Sequence, residues 1–350
     1  MDADHRLAEL ASLLKPGTVA PRVESFPDTP TGWASAYGLE WAGEDRCVIR
    51  LLHHAAGSLE SAEAELAAAS LMGDCAIGPA IRHRDARAGV LVMDWIDGAP
   101  ARPARDWQAA SVACLLARLH AVPWTGQPDL HETKWADATR TVCGQVESIP
   151  RLDLFAEVLG AFRCLRQELN SLKIQKVLCH NDLNPGNMLF DSSRAWLVDF
   201  DHVGRSDPLF DVATAIEALD LNDQLVNLFM REYLGRTAAR QEVARLELLR
   251  CLVLLRYGLT TLALVPESCY QRLAMWGTAD TGRPFVFDRS AGEEFGWSVF
   301  RLSLGFATTG LARLRTERVR RAASVLRMGG ILTDLLGGHG DHAYGDAAEG

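Results

Sequence analysis

No stretch of this chain reads as a membrane span. The longest apolar run, residues 251–265, is interrupted by Arg256, whereas a transmembrane helix needs about 20 consecutive apolar residues. The first fourteen residues carry Asp2, Asp4, His5, Arg6 and Glu9, the wrong makeup for a secretory signal peptide. The eight cysteines (Cys47, Cys75, Cys114, Cys143, Cys164, Cys179, Cys251 and Cys269) form no Cys-x-x-Cys pair and have no histidine at zinc-ligand spacing. That argues against a zinc module and a disulfide framework. Most of them sit in apolar runs, so they are expected to be small core residues with free thiols in a reducing cytoplasm. Positive charge is scarce, 36 Lys and Arg against 45 Asp and Glu for a formal net charge of −9, which speaks against nucleic acid as the main partner. Several enzyme signatures are missing too: Gly-x-Ser-x-Gly, His-Glu-x-x-His, a Walker-type phosphate loop and Gly-x-Gly-x-x-Gly.

What is there is the balance of a soluble globular protein, 350 residues with 48% hydrophobic and 23% charged side chains. A chain of this size forms one or two domains and buries about three quarters of its unfolded surface. Strand-like runs at 36–41, 47–52 and 90–95, with helical stretches at 7–14 and 59–72, describe a small α+β lobe without the regular alternation of a parallel sheet. Asp97-Gly98-Ala99-Pro100 marks a break and a flexible joint. Beyond Trp107 the apolar residues recur at three and four: Val112, Leu115, Leu116 and Leu119, then Leu154, Val158, Leu159, Phe162, Leu165 and Leu169. Short β-type runs interrupt this helical part at 177–179, 187–190 and 196–200, the last two joined as a hairpin by Asp191-Ser192-Ser193-Arg194. Helix is expected again from about 210 to 336, broken at 266–290, and the tail 337–350 has no apolar periodicity and is expected to be disordered.

The chemistry concentrates in His180-Asn181-Asp182-Leu183-Asn184-Pro185-Gly186-Asn187, followed twelve residues after Asn187 by Asp199-Phe200-Asp201. Phosphoryl transfer needs a carboxylate to take the proton of the attacking hydroxyl and hard oxygen ligands for magnesium on the nucleotide phosphates. Asp182 suits the first role. Asn187, from the same loop, and Asp199, at the end of the next hairpin strand, suit the second. Each piece alone is a polar turn between strands; together they carry more.

These residues resemble the aminoglycoside phosphotransferase and choline kinase superfamily, whose catalytic loop has the form His-x-Asp-x-x-x-x-Asn with a metal-binding Asp downstream. Val198-Asp199-Phe200-Asp201-His202-Val203-Gly204 and Asp207-Pro208-Leu209-Phe210-Asp211-Val212-Ala213 look most like the choline/ethanolamine kinase branch. The resemblance implies an α+β, two-lobed, protein-kinase-like fold: a nucleotide-binding lobe over 1–98, with an antiparallel sheet, and a mainly helical lobe over 99–336. It implies Asp182 as catalytic base, Asn187 and Asp199 as magnesium ligands, and Asp201 as a further ligand or a cap of the loop. His180 and Asp211 read as structural, the first bonding loop carbonyls, the second tying the loop to a helix start. Asn181 replaces the arginine of the protein-kinase loop and no Ala-Pro-Glu follows, against a phosphorylation-gated protein kinase.

By the same resemblance, Val48-Ile49-Arg50-Leu51 is the strand with the phosphate-contacting cation, here an arginine able to bridge two oxygens. Its partner would be a helix glutamate, Glu65 rather than Glu63. Gly32, in the turn 29–35, would cover the phosphates, and Met93, Asp94 and Ile96 are hinge positions whose backbone would read the adenine edge. His120 closes a helix that resembles the first of the large lobe and reads as packing or capping.

The expected activity is transfer of the γ-phosphate of ATP, or GTP, with Mg2+, to a hydroxyl of choline or a related amino alcohol. An aminoglycoside or another amino- or sugar-alcohol is the alternative, and a nucleotide-binding pseudokinase acting as an interaction module is the non-enzyme one. A quaternary ammonium asks for aromatic faces and a carboxylate, which Tyr257, Tyr270, Trp276, Phe295 and Trp297, with Glu293 and Glu294, could supply; each aromatic alone reads more simply as core. The arginines 313, 315, 318, 320, 321 and 327 read as the solvated face of an amphipathic helix. Stable membrane insertion is not expected, and a homodimer through the C-terminal helices is an expectation carried by no motif.

Overall fold

The computed structural model describes residues 3–26, 34–43, 45–53, 59–124, 153–265 and 293–328. The chain divides into two compact units, Met1–Asp137 with Gln175–Thr237, and Ala138–Ile174 with Ala238–Gly350.

The first unit opens with helix α1 (Ala3–Leu14), followed by strands β1 (Arg22–Ser25), β2 (Ala34–Glu40) and β3 (Arg46–Leu52), helix α2 (Leu59–Asp74), and strands β4 (Ile81–Asp85) and β5 (Val90–Asp94). The five strands form one antiparallel sheet in the order β1-β2-β3-β5-β4. Side chains alternate across a sheet. One face presents Leu39, Trp41, Cys47, Ile49, Leu51, Val90 and Val92 to Leu7, Leu10 and Ala11 of α1, all of them buried. The other face carries Ala36, Gly38, Val48, Arg50, Leu91 and Met93, registered as Ala36↔Arg50↔Leu91 and Gly38↔Val48↔Met93. The edge strands β1 and β4 were not expected from the sequence. Every residue of β1 is exposed and β4 reads Ile-Arg-His-Arg-Asp with only Ile81 partly buried, so neither offers the apolar alternation that marks a strand.

The same unit continues with α3 (Asp106–His120), β6 (Val177–Cys179), a 3-10 turn (Pro185–Asn187), β7 (Met188–Phe190), β8 (Ala195–Leu197), β9 (Gly204–Ser206), α5 (Pro208–Ala218) and α6 (Asp223–Leu234); α4 belongs to the second unit. Strand β7 pairs with β8 across the turn anticipated at 191–194, and β6 pairs with β9. The joint near Gly98 is not a loose one. Ala99 and Phe190 exchange both backbone hydrogen bonds, at 3.1 and 3.0 Å, so the segment after β5 is stitched to the β7–β8 hairpin.

The second unit is helical: α4 (Asp153–Ser171), α7 (Arg240–Leu262), α8 (Glu293–Leu314) and α9 (Glu317–Val325). Helix α7 packs against the other three and is buried on most of its circumference, as expected of a central helix. The continuous helix expected through the arginine run is two, because Thr316 caps α9 by accepting from the Val319 N–H. The arginines form ion pairs: Arg318 with buried Glu247 at 2.7 Å, Arg321 with Glu317 at 3.0 Å, and Arg315 with Glu157. Tyr257 packs its ring on Phe306, 5.4 Å between centroids, in a cluster with Leu254 and Leu302. The residues 266–292 and 329–350 lie outside the described ones, as do the side chains of Glu293, Glu294, Phe295 and Trp297. No helix among the described residues is long and apolar enough to cross a membrane. Cys47, Cys75, Cys114, Cys164, Cys179 and Cys251 are free thiols, while Cys143 and Cys269 fall outside the described residues.

The close approach of α7 to α8 depends on Gly258, where an added Cβ would lie 3.0 Å from the backbone N of Ala307. Gly258→Val should therefore destabilise the second unit by about 1–3 kcal/mol, read as a lower denaturation midpoint, and Gly258→Ala by less.

Candidate active site

The loop after β6 is fixed from behind by one carboxylate. Asp211, on the first turn of α5 and fully buried, accepts the backbone N–H of His180 at 2.7 Å and of Asn181 at 2.8 Å. Its Oδ2 also lies 3.2 Å from His120 Nε2, whose other ring nitrogen is 2.8 Å from the Tyr233 hydroxyl. His120, Cys179 and Asp211 bring ligand-type atoms within 4.8 Å of one another, but both Asp211 oxygens are already taken by donors. The group is a hydrogen-bonded core rather than a metal centre. Burial alone pushes the Asp211 carboxyl up; the His120 bond, the two imidazoles and the His180 N–H outweigh it and hold it below its ordinary value.

Asn181 accounts for the departure from the protein-kinase loop. It has a left-handed φ of 66°, which Asn tolerates better than most residues, and its buried side-chain amide donates to the carbonyls of Cys179, His202 and Gly204 at 3.1–3.3 Å. A single short amide thus closes the loop onto β6 and β9, a role no spacing in the sequence signals. His180, fully buried, receives the Asp182 N–H on Nδ1 at 3.3 Å, so its Nε2 carries the proton and donates to the Val198 carbonyl at 3.0 Å.

Asp182 is half-buried at the lip of this loop. Its Oδ2 accepts from the amides of Asn184 and Asn187, each at 3.1 Å, and Asn187 also donates to the Asp182 carbonyl at 2.8 Å. Asn184 does two jobs, since its side-chain oxygen caps the 3-10 turn through the Gly186 N–H at 2.9 Å. With the Asn187 nitrogen turned to Asp182, its amide oxygen is the group left to face a cation.

Arg50 stands on the second face of the sheet and is only 9% exposed. Its Nε donates to Glu65 of α2 at 3.1 Å, and its Nη2 lies 2.9 Å from Asp199 and 4.0 Å from Asp201; Glu63 is exposed. Burial disfavours the guanidinium charge, but Asp199, Glu65 and Asp201 together raise its pKa well above the usual arginine value. One cation faces three carboxylates here, an excess of two negative charges that matches a divalent ion. Asp199 has a left-handed φ of 65° and its Oδ1 is the atom that meets Arg50, a strained residue of the kind functional sites retain. With the Asn187 oxygen, this donor set is hard and oxygen-only, which fits magnesium.

The other expected positions divide. Gly32 lies outside the described residues. Met93 and Asp94 are ladder residues, registered to Val48 and Cys47, and the Asp94 N–H is spent on the Ala80 carbonyl at 2.9 Å while its carboxylate takes Arg82 at 2.6 Å. That N–H is not available to an adenine edge, and Ile96, past the end of β5, is the hinge position whose backbone lies outside the ladder. Two glycines carry close approaches that the sequence does not signal. A Cβ on Gly38 would come within 2.7 Å of the Trp95 ring, and one on Gly78 within 2.6 Å of Phe200. Close approach of this kind is visible only when the partners are placed.

A model of the phosphotransferase enzyme family matches residues 30–248. Protein LicA of Haemophilus influenzae is 36% identical over 87 residues, which are 25% of this chain and 31% of that protein; the chain thus spans less than a third of the length of the curated relatives it matches. The crystal structure of a choline/ethanolamine kinase family protein from Mesorhizobium loti superposes with a TM-score of 0.66 at 20% identity, covering 94% of this chain and all of that one (100%). Choline kinase LicA from Streptococcus pneumoniae superposes with a TM-score of 0.58 at 17% identity, over 87% of this chain and 99% of its own. At these identities the structural likenesses establish the fold, the two-lobed α+β fold of such kinases.

Asp211→Asn places an NH2 group against a backbone donor and should cost roughly 3 kcal/mol in denaturant unfolding. The Asp211 carboxyl titrates below its ordinary 3.8, so the stability it supplies is present above that pH and is lost as pH falls through the folded-state value. The gap between the two proteins should accordingly narrow in acid below about pH 4; a gap independent of pH would contradict the charged assignment.

Proposed function

The chain belongs to the phosphotransferase enzyme family, and we propose that it is a kinase transferring the γ-phosphoryl group of ATP to a hydroxyl of a small amino alcohol, choline or ethanolamine in the first place. The observation that carries this reading is the occurrence together of Asp182, its Oδ2 held by two amides, and the Arg50–Glu65–Asp199 cluster, joined through the Val198 N–H that donates to the Asn187 carbonyl at 3.1 Å. A fixed acceptor of protons and a fixed acceptor of anions are the two parts such a transfer asks of a protein.

In this reading Asp182 receives the proton of the acceptor hydroxyl as the oxygen attacks phosphorus. The amides of Asn184 and Asn187 keep the carboxylate in one rotamer, so orientation is settled before the substrate arrives. Arg50, kept charged by its carboxylates, offers its guanidinium to phosphate oxygens, and Glu65 stops it from swinging away. Asn187 and Asp199 would hold magnesium, with Asp201 beside them; when bound, the metal spreads the charge that develops on the phosphoryl oxygens. The choline class is supported by the names of the relatives, LicA and the choline/ethanolamine kinase family protein. The acidic balance of the chain, −9 overall, also suits a cationic acceptor.

The test is ADP release with a panel of hydroxylated amines, choline and ethanolamine against aminoglycosides, with ATP or GTP as donor. Choline or ethanolamine should be turned over, and Asp182→Asn should lower that turnover on the order of 10³-fold while ATP still binds. Unchanged turnover in the variant would remove Asp182 from the role of base. Turnover of aminoglycosides alone would move the acceptor to the antibiotic class, and magnesium-dependent ATP binding without turnover on any acceptor would favour an interaction module.

A further inference from the structure

Helix α2 ends in a way its own residues do not complete. Ala76 takes a left-handed φ of 51°, a position usually given to glycine. The N–H groups of Ala76 and Ile77 fold back onto the carbonyls of Gly73 and Met72, at 2.9 Å each. This closing turn leaves the carbonyls of Cys75 and Ala76 to be met from outside the helix. Two guanidinium groups meet them. Arg118 of α3 donates Nη2 to the Cys75 carbonyl at 2.6 Å and reaches that of Ala76 at 3.5 Å, and Arg194, in the turn between β7 and β8, donates Nη1 to the Ala76 carbonyl at 2.9 Å.

The attachment continues along the chain. The Leu197 N–H of β8 donates to the Ile77 carbonyl at 3.0 Å, and Gly78 lies against Phe200 of the Asp199-Phe200-Asp201 segment. Arg194 is itself ordered in advance, with its guanidinium 3.3 Å from the centre of the Trp196 ring. The indole N–H of Trp196 donates to Asp191 at 2.6 Å, and the same carboxylate accepts the N–H groups of Ser193 and Arg194. Bringing two cations to one helix end is costly: burial and then the charge of Arg118 pull the Arg194 pKa below the usual arginine value. The negative end of the helix dipole and the two carbonyls offset that cost.

We infer that Arg118 and Arg194 are positioning residues for the nucleotide site: they pin the C-terminal end of α2 to α3 and to the β7–β8 hairpin respectively, and thereby fix Glu65 and, through it, Arg50. Glu65 lies eleven residues before Ala76, about 16 Å along the helix. A tilt of roughly 10° about the anchored end therefore displaces Glu65 by about 3 Å, enough to break its hydrogen bond to Arg50. Among the described elements α2 packs chiefly on β4, with Leu66, Ala69 and Met72 buried, and the anchor adds a second hold on its angle at the C-terminal end. The inference rests on the reading of Arg50 as the phosphate-site cation.

The decisive comparison is the full chain against Arg118→Met/Arg194→Met, which keeps the aliphatic stems and removes both cations. Hydrogen–deuterium exchange without nucleotide should show lost protection over residues 65–78. A fluorescent ATP analogue should bind about tenfold more weakly, with the acceptor KM unchanged and much of the affinity regained in Arg118→Lys/Arg194→Lys. Unaltered exchange in α2 together with unaltered nucleotide affinity would overturn the inference. So would an affinity loss not accompanied by any change in α2. Should the double variant fail to fold, the single Arg194→Met decides by the same two readouts. A wild-type chain that does not bind the analogue would instead refute the nucleotide reading itself, and the exchange at α2 would still judge the anchor.

Discussion

A single buried guanidinium sets the terms for the rest of the first unit. Arg50 sits among Glu65, Asp199 and Asp201, and the four come from three elements: Arg50 from the sheet, Glu65 from helix α2, and both aspartates from the segment after β8. An arginine removed from water is strongly destabilising unless its charge is answered, with losses of about 3–5 kcal/mol when one partner of such a pair is taken away. No element of this unit can thus settle without the others. The three carboxylates in turn exceed what one arginine neutralises, so the cluster carries a surplus of negative charge.

The catalytic loop solves the opposite problem, holding a polar segment still without making it electropositive. Asp211 collects two consecutive backbone N–H groups, Asn181 collects three carbonyls, and His180 bridges Asp182 to Val198 with one tautomer. These donors are answered from residues 179–204 or from the start of α5, which is why the loop tolerates left-handed angles at Asn181 and Asp199. Such strain costs on the order of 1–3 kcal/mol per residue and persists only because the surroundings over-determine it. A rigid loop that presents one carboxylate to solvent is the arrangement a proton acceptor needs.

How much of this was legible in the sequence follows from the range of each interaction. The 180–201 segment was readable because its residues act within one hairpin, where spacing and geometry coincide. The strands β2, β3 and β5 were readable as short runs of strand-forming residues bounded by turn signals. Edge strands β1 and β4 escaped for want of a buried face. Asn181 escaped because a buried amide that crosslinks three carbonyls looks, in sequence, like any polar loop residue. Gly38 and Gly78 matter through the rings of Trp95 and Phe200, 57 and 122 positions away, and contacts of that separation leave no local pattern. The Asp94 N–H looked available at the hinge until its ladder was drawn.

The arginines separate in the same way. Those of α9 form a run that attracts attention, yet Arg321 pairs with Glu317 on an exposed surface, where a pair is worth about 0–1 kcal/mol, while Arg318 reaches the buried Glu247. Arg50, Arg118 and Arg194 are scattered and form no run. Nevertheless the helix that carries Glu65 is bounded by them, at the carboxylate on one side and at the carbonyls of the turn just past its end on the other. In an acidic chain with few cations to place, position outweighs number. A guanidinium at a helix end or inside a ring of carboxylates fixes geometry, while the same group on an open face chiefly keeps the protein in solution.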